Sequence, residues 1–271
     1  MPTLNKDTTL CISLAGRPSN LGTRFHNFLY AELGIDFIYK AFTTDDIEGA
    51  VRGIRALGIR GASISMPFKE AVIPLVDELE SSAAAIQSVN TIVNTNGRLV
   101  AANTDYEAIA ELIAANQLDP AASVLVRGSG GMAKAVVAAF RDAGFADVTV
   151  WARNAIAGQE LAAHYGFGWR SSDPHPGAQI IVNVTPLGMT GDTAEALSFS
   201  APLIAAASVV FDVVAFPAET PLIRAARAAG KRVISGAEVH AQQAARQFER
   251  YTGVTITADQ VARAAAFSRA E

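Results

Sequence analysis

A cluster of glycines between an apolar segment and an alanine-rich segment restricts the fold of this chain more than any other feature. Residues 124–127 predict a strand, three of the next four residues are glycine, and residues 132–143 predict a helix. Gly128 and Gly130 allow a sharp turn and a close backbone approach, and the spacing Gly-x-Gly-x-x-Ala is typical of loops that bind the pyrophosphate of a dinucleotide. A second apolar segment, residues 148–151, completes a βαβ unit of the expected size. The sequence therefore predicts a Rossmann-type domain, although glycine-rich turns also occur for packing reasons alone.

The backbone of this loop supplies the predicted phosphate contacts. The N–H groups of Gly131 and Met132 begin the predicted helix, whose positive end would face the pyrophosphate, and Ser129 lies between the two glycines of the turn. We therefore expect Gly128, Ser129, Gly130, Gly131 and Met132 to bind a dinucleotide.

The residues after the second strand indicate which dinucleotide. Ala152, Arg153 and Asn154 stand where a site that prefers NAD would carry an acidic residue for the ribose 2′-hydroxyl group. A guanidinium can pair with a phosphate through two hydrogen bonds and can stack on adenine. We expect these three residues to contact the adenosine end and NADP to be the cofactor. The alternative is that Arg153 is an ordinary surface arginine.

The composition argues against several classes of protein. The chain has 271 residues, of which 50% are hydrophobic, so it can bury one large core or two smaller ones. Its net charge of −4 and its scattered Lys and Arg residues give no basis for a nucleic-acid or anionic-membrane partner. No segment approaches the ~18 consecutive apolar residues of a membrane span, and residues 1–9 lack the apolar region of a signal peptide. We expect a cytoplasmic protein.

The cysteine and histidine residues predict neither a disulfide nor a metal site. Cys11, the only cysteine, lies in an apolar segment and is expected to be a buried structural thiol. The histidines are scattered and form no group with metal-ligand spacing: His26, His164, His175 and His240. The sequence also lacks the Gly-x-Ser-x-Gly motif of serine hydrolases.

Alternating apolar and amphipathic segments predict an α/β fold. In the first hundred residues, strands are predicted over 10–14, 37–41 and 62–65, and helices over 23–33 and 45–57. This alternation predicts a mainly parallel sheet with helices on its faces. A helix over 106–116 then leads to a second series of strands, over 124–127, 148–151, 180–184, 209–213 and 233–234.

The second series ends before the chain does, which predicts two domains with a shared C-terminal part. Residues 237–251 have no strand to pair with, and Thr257 to Gln260 form a capping-box pattern that begins a last helix. We expect one domain over residues 1–103, completed by helices within 237–271, and a Rossmann-type domain over 104–236. The ligand is predicted to lie between the domains, at the carboxyl ends of the strands.

Several short motifs together resemble the shikimate dehydrogenase family. Residues 61–69 are similar to its Gly-x-Asn-Val-Thr-x-Pro-x-Lys signature, residues 88–91 to its Ala-Val-Asn-Thr and residues 103–105 to its Asn-Thr-Asp. The later matches keep the family's order: the glycine loop and residues 152–154, 183–189, 211–214, 220–222 and 243–248. The resemblance implies that the first domain binds substrate and carries the catalytic residues. It also implies reversible hydride transfer between NADP(H) and a ring carbon of shikimate, 3-dehydroshikimate or a close analogue.

The resemblance further implies a catalytic pair, Lys69 and Asp105. A secondary alcohol gives up hydride to a nicotinamide only if its hydroxyl proton also leaves, so the site needs a group that takes up this proton. A lysine, which is mostly protonated at neutral pH, suits proton donation in the reverse reaction. Asp105 would orient both Lys69 and a substrate hydroxyl group. The alternative for Lys69 alone is a surface lysine.

Two further groups of residues carry over from the family. Asn90 and Gln243 are implied to hydrogen-bond the substrate, although either could instead cap backbone groups. The implied cofactor contacts beside the nicotinamide are Thr185, Leu187, Met189, Val213 and Gly236. For Met189, a place in the core is an equally good interpretation.

The segment that would bind the substrate carboxylate departs from the family pattern. The family has Ser-x-Ser-Pro near the first helix, whereas residues 16–26 lack this pattern. The polar groups available for substrate binding are Ser19, Asn20, Thr23 and Ser65, together with Arg24 if it turns inward. Ser63 and Ser65 also replace the family's asparagine and threonine, and Tyr106 replaces a glycine after Asp105. The resemblance is therefore to a shikimate dehydrogenase-like paralogue.

These departures leave alternative functions open. A quinate or aminoshikimate dehydrogenase would use the same chemistry, and a non-catalytic nucleotide-binding sensor would keep the fold without turnover. The presence of both Lys69 and Asp105 argues against the sensor, because a binding module needs no proton acceptor. We expect a small cyclic hydroxy acid as partner, with monomer and homodimer both open.

Overall fold

The computed structural model describes residues 4–172 and 176–270, so His175 lies outside the described residues. By their contacts, the residues form two compact units. Of the described residues, those up to 104 and those from 241 onward are the mixed-sheet unit, and those within 105–240 are the parallel-sheet unit.

The mixed-sheet unit contains a six-stranded sheet in the order β2-β1-β3-β5-β6-β4. The strands are β1 (Thr9–Ala15), β2 (Phe37–Thr43), β3 (Gly61–Ile64), β4 (Glu78–Leu79), β5 (Thr91–Thr95) and β6 (Arg98–Ala102). The pairs β1–β2, β1–β3 and β4–β6 are parallel, whereas β5 runs antiparallel to both β3 and β6. The helices of this part are α1 (Leu21–Leu33), α2 (Ile47–Ala56) and the short α3 (Ser81–Ala84), with a 3-10 turn at Ile73–Leu75.

Side chains of β1 alternate between two buried clusters, one on each face of this sheet. Ile12 and Leu14 pack with Ile54 of α2 on one face. Cys11 packs with Phe25 of α1 on the other face. Burial raises the pKa of the Cys11 thiol to about 12, as expected for a structural thiol rather than a nucleophile.

The parallel-sheet unit has a fully parallel sheet in the order β12-β11-β10-β7-β8-β9. Its strands are β7 (Val124–Arg127), β8 (Val148–Trp151), β9 (Gly168–Arg170), β10 (Ile180–Asn183), β11 (Val209–Asp212) and β12 (Arg232–Ile234). Its helices are α4 (Thr104–Ala115), α5 (Gly131–Asp142), α6 (Ala155–Tyr165), α7 (Ala201–Ala206) and α8 (Pro221–Ala228). The chain leaves β7 toward β9 and then returns to β10 on the other side of β7. The strand order therefore reverses at β7 and β10, where sheets of this type bind ligands at the carboxyl ends of the strands.

Two helices follow the last strand. Helix α9 (Gly236–Thr252) continues into the mixed-sheet unit, and α10 (Ala258–Arg269) packs against α1. The predicted capping box is present: Thr257 Oγ1 accepts from the Gln260 N–H at 3.3 Å, and Gln260 Oε1 accepts from the Thr257 N–H at 2.9 Å. These reciprocal bonds satisfy two backbone donors at the start of α10.

Candidate functional site

The glycine loop lies between β7 and α5, and its glycines differ in what requires them. Gly128 has φ +124°, and a Cβ atom there would lie 2.8 Å from Val184 Cγ2, so the turn itself requires glycine. Gly130 is the N-cap of α5 and has an ordinary φ of −81°. A Cβ atom at Gly130 or Gly131 would meet no protein atom within 4 Å. The space beside these two positions is open at the positive end of a helix, and a phosphate group fits there.

Arg153 lies just beyond β8, at the predicted adenosine end. Its side chain is exposed. Ala152 is buried, and the Asn154 side chain caps α6 by accepting from the Ala157 N–H at 3.2 Å. Asn154 therefore has a structural task, while the Arg153 guanidinium is available to an anion.

The segment after β10 is held by the Asn183 side chain. Asn183 Oδ1 accepts from the Thr185 N–H at 3.1 Å and from Thr185 Oγ1 at 2.6 Å, and Asn183 Nδ2 donates to the Leu187 carbonyl at 3.2 Å. Met189 is 43% exposed, so its interpretation as a core residue is wrong.

Val213 contacts the end of β10, and Gly236 contacts the chain after β11. The Val213 N–H donates to the Asn183 carbonyl at 3.0 Å. A Cβ atom at Gly236 would lie 2.2 Å from the Val214 carbonyl oxygen. The close approach of α9 to the chain after β11 therefore requires glycine at this position, whatever ligand is bound.

In the mixed-sheet unit, hydrogen bonds join the three sequence motifs. The Val89 N–H donates to the Lys69 carbonyl at 2.8 Å, which ties the turn carrying Lys69 to residues 88–91. Asn103 Nδ2 donates to the Ser88 carbonyl at 2.8 Å. The next residue, Thr104, begins α4, and the buried Asp105 after it is the first residue of the parallel-sheet unit. Within the mixed-sheet unit, the Lys69 turn, residues 88–91 and residues 103–104 are thus adjacent although they are far apart in the sequence.

Asn90 is the centre of this arrangement. Its Oδ1 accepts three hydrogen bonds, from the Thr104 N–H at 2.8 Å, Thr104 Oγ1 at 3.1 Å and Thr91 Oγ1 at 2.8 Å. Its Nδ2 donates to Gln243 Oε1 at 3.4 Å. Because Oδ1 is fully engaged, the amide orientation is fixed and Nδ2 is the atom that remains for a ligand.

Gln247 supports this arrangement and was absent from the residues predicted from the sequence. It is 2% exposed, and its Nε2 donates to Thr91 Oγ1 at 3.0 Å, Ser63 Oγ at 3.2 Å and the Asn90 carbonyl at 3.3 Å. Gln247 lies four residues after Gln243 on α9, a spacing that puts both side chains on one helix face and could have indicated the pair.

Residues 16–26, which lack the Ser-x-Ser-Pro pattern of the family, bring few polar groups together. Ser19 and Asn20 are exposed, and Asn20 is the N-cap of α1 without a side-chain cap. Thr23 Oγ1 is buried and has no hydrogen-bond partner among the described residues. Ser65 is half-buried, and its N–H donates to the Leu14 carbonyl at 2.9 Å.

Arg24 contacts α10 instead of pointing toward the motifs. Its Nε and one terminal nitrogen donate to the Phe267 carbonyl at 3.2 and 3.0 Å, and its guanidinium carbon lies 4.7 Å from the centre of the Phe267 ring. These contacts hold the guanidinium against α10.

The described residues offer neither a metal site nor a membrane-spanning helix. Residues 4–172 and 176–270 contain no group of three or more His, Cys, Asp or Glu side chains placed to hold a metal ion. Over the same ranges, no helix has both the length and the apolar character that crossing a membrane requires.

Comparisons with known proteins identify the family. Residues 19–92 match the shikimate dehydrogenase substrate binding domain. A shikimate dehydrogenase-like protein of Haemophilus influenzae is 57% identical over 267 residues, which cover 98% of each protein. The structure of a shikimate 5-dehydrogenase-like protein matches with a TM-score of 0.94 at 56% identity, covering 99% of this chain and 100% of the other. Shikimate 5-dehydrogenase of Thermus thermophilus, in complex with NADP(H) and shikimate, matches with a TM-score of 0.86 at 28% identity and covers 96% and 99%. This chain belongs to the shikimate dehydrogenase family.

Proposed function

We propose that this chain is an NADP-dependent oxidoreductase that transfers hydride between the cofactor and a ring carbon of shikimate, 3-dehydroshikimate or a close analogue. The observation that carries the proposal is the joining of the three motifs, because it places the Lys69 turn, Asn90 and the start of α4 next to one another. Lys69 on this turn is the proposed source of the proton acceptor that oxidation of a secondary alcohol requires.

Lys69 and Asp105 are the proposed catalytic residues. The neutral amine of Lys69 takes up the hydroxyl proton of the alcohol during oxidation, and the resulting ammonium group returns it during reduction of the ketone. Asp105 accepts a hydrogen bond from a neighbouring hydroxyl group of the substrate and fixes the ring. Asn90 Nδ2 and Gln243 supply further hydrogen bonds to the ring oxygens.

NADP is the proposed cofactor, and its nicotinamide would supply the hydride acceptor. The open space beside Gly130 and Gly131 accommodates the pyrophosphate, and the exposed Arg153 accommodates the 2′-phosphate. The segment containing Thr185, Leu187 and Met189 lies at the proposed nicotinamide end. The NADP(H) complex of the Thermus thermophilus enzyme supports this choice.

The substrate segment favours a close analogue of shikimate as a second candidate. Ser19 and Asn20 are exposed and Arg24 is bound to α10, so the carboxylate would lack the paired serine hydroxyl groups of the family pattern. Quinate and aminoshikimate are the analogues to test. A sensor without turnover is the remaining alternative.

The test is a steady-state assay of NADP⁺ reduction with shikimate, quinate and aminoshikimate. We expect turnover of shikimate with a KM about tenfold to a hundredfold above that of a relative with the Ser-x-Ser-Pro segment, since misplacing a hydrogen bond to a charged group costs about 1.5–3 kcal/mol. Turnover of quinate or aminoshikimate alone would move the assignment to that substrate. Binding of NADPH without turnover of any of the three would support the sensor and overturn the proposed reaction.

A further inference from the structure

A buried carboxylate in the parallel-sheet unit has no role in the proposed reaction. Asp212 is the last residue of β11 and its side chain is 0% exposed. Burial raises the pKa of this carboxyl group, whereas its hydrogen bonds oppose the shift. Because a buried carboxylate is costly unless it is well satisfied, its partners indicate why the fold keeps it.

Both oxygens of Asp212 are bound by groups from different segments. Oδ1 accepts from Asn183 Nδ2 at 2.9 Å and from the Val214 N–H at 3.2 Å, and Oδ2 accepts from Thr220 Oγ1 at 2.6 Å. One side chain thus joins the end of β10, the chain after β11 and the residue before α8.

The contact with Asn183 fixes the orientation of the Asn183 amide. An ionised carboxylate only accepts hydrogen bonds, so Asn183 must turn Nδ2 toward Asp212 and Oδ1 toward Thr185. In this orientation Asn183 holds Thr185 through two bonds and the Leu187 carbonyl through one.

The contact with Thr220 supports the same segment from its other side. Thr220 caps α8 by accepting from the Ile223 N–H at 3.2 Å. A Cβ atom at Gly188 would lie 3.2 Å from Thr220 Cβ and 3.3 Å from Pro221 Cδ, so Gly188, within the segment 185–189, lies directly against the start of α8. The segment is therefore held both by Asn183 and by the α8 terminus, and Asp212 binds both.

We propose that Asp212 is a positioning residue for the nicotinamide half of the cofactor, acting through Asn183 and Thr220 without touching the ligand. This inference rests on the proposed function. Its consequence is a division within the cofactor site. The segment 185–189 depends on Asp212, whereas the Gly128 N–H donates to the Trp151 carbonyl at 2.9 Å and Asn154, beside Arg153, caps α6.

The experiment compares two probes, 2′,5′-ADP for the adenosine half and NADPH for the whole cofactor, by titration against the full chain. In Asp212→Asn, the new amide can present an N–H to Asn183 and permit the reversed orientation. We expect NADPH affinity to fall roughly tenfold, as for one misplaced hydrogen bond, while 2′,5′-ADP affinity changes less than about twofold.

A second pair of variants keeps the test decisive if Asp212→Asn does not fold. Thr220→Val removes the hydroxyl group and should give the same selective loss, whereas Thr220→Ser keeps it and should restore wild-type NADPH affinity. Ser208→Ala is the matched control, because Ser208 Oγ donates to the Gln179 carbonyl at 2.9 Å beside the opposite end of β11. It should leave both affinities unchanged.

Equal losses for the two probes in Asp212→Asn or Thr220→Val would show a general structural role and overturn the inference, as would no loss in either. Failure of the proposed function has a different signature: a wild-type chain that binds NADPH without turnover would overturn the reaction but not this inference, whereas a wild-type chain that binds neither probe would have no cofactor site. That result would overturn both proposals.

Discussion

The two units hold their candidate residues by different means. In the parallel-sheet unit, the glycine loop offers backbone N–H groups and open space, and Gly130 and Gly131 have no neighbour where a side chain would begin. In the mixed-sheet unit, side chains and backbone from three segments bind Asn90 and fix the orientation of its amide group.

The two sites therefore tolerate different kinds of substitution. A backbone loop loses function when an atom is added, because the added atom takes the space of the ligand. A side-chain network loses function when a partner is removed, because a buried amide left without its partner costs about 1–3 kcal/mol.

Substitution of Lys69 by Ala should give the largest change. Loss of a general acid and base lowers kcat by roughly 10²- to 10⁴-fold. Affinity for NADPH should stay unchanged, because Lys69 and the glycine loop belong to different units. Steady-state kinetics and a fluorescence titration measure both. Lys40→Ala is the control, since Lys40 is an exposed lysine of β2. Wild-type turnover in Lys69→Ala would remove the proposed chemistry.

Gln247→Leu should show the cost of removing a partner. The change leaves Thr91 Oγ1, Ser63 Oγ and the Asn90 carbonyl without their shared donor. We expect the free energy of unfolding to fall by about 1–3 kcal/mol, together with a higher KM for the cyclic substrate. Urea unfolding and kinetics check the two effects. Gln242→Leu, at a half-buried position of the same helix, should change neither. An unchanged KM with lowered stability would show that the network supports only the fold.

Arg153→Ala should separate the two nicotinamide cofactors. Only NADP carries the 2′-phosphate, and a charge-assisted hydrogen bond is worth about 1.5–3 kcal/mol, so NADPH affinity should fall roughly tenfold to a hundredfold while NADH affinity changes little. Titration with both cofactors decides the matter. Equal losses would mean that the guanidinium only stacks on adenine.

The contrast also explains which parts of the fold could be predicted from the sequence. The parallel strands β7, β8, β10 and β11 are continuous apolar segments, so their positions follow from local pattern within one residue. The β5–β6 hairpin has no counterpart among the strands predicted from the sequence. Its turn is nevertheless typical, because Asn96 and Gly97, with φ values of 52° and 88°, form the two-residue turn that Asn-Gly favours. Its first strand coincides with the Asn90 motif, which was interpreted only as chemistry.

For the candidate site, single residues could be predicted but their supports could not. Asn90 and Gln243 follow from motifs, yet they lie 153 positions apart and their contact depends on how α9 packs. Asp212 is similar: its partners Asn183 and Thr220 are 29 and 8 positions away, and no local pattern relates them. Side-chain contacts of this kind form only when distant segments pack together. A sequence pattern with the period of a helix or a strand therefore does not predict them.

Two glycine substitutions compare two positions within the glycine loop. Gly131→Ala adds a methyl group into open space at a helical position, so stability should stay unchanged or rise by up to about 1 kcal/mol while NADPH binding weakens. Gly128→Ala should instead lower stability by about 1–3 kcal/mol, because its φ is positive and its Cβ atom would meet Val184. Thermal unfolding and titration distinguish the two. Unweakened NADPH binding in Gly131→Ala would show that the open space holds no phosphate.

Arg24→Ala should give the smallest effect. The guanidinium lies at the C-terminal end of α10, where it donates to the Phe267 carbonyl and contacts the Phe267 ring, and the pair is partly exposed to solvent. A cation at this end of a helix contributes about 0.3–1 kcal/mol, so the unfolding temperature should fall slightly. Kinetics should show an unchanged KM, because the side chain is turned away from the motifs. Phe267→Ala removes the ring contacts with Arg24 and Phe28 but keeps the backbone carbonyl, so it should lower the unfolding temperature and leave KM unchanged. A large rise in KM for Arg24→Ala, with an unchanged unfolding temperature, would instead place the guanidinium at the substrate carboxylate and supply the charge that the altered segment lacks.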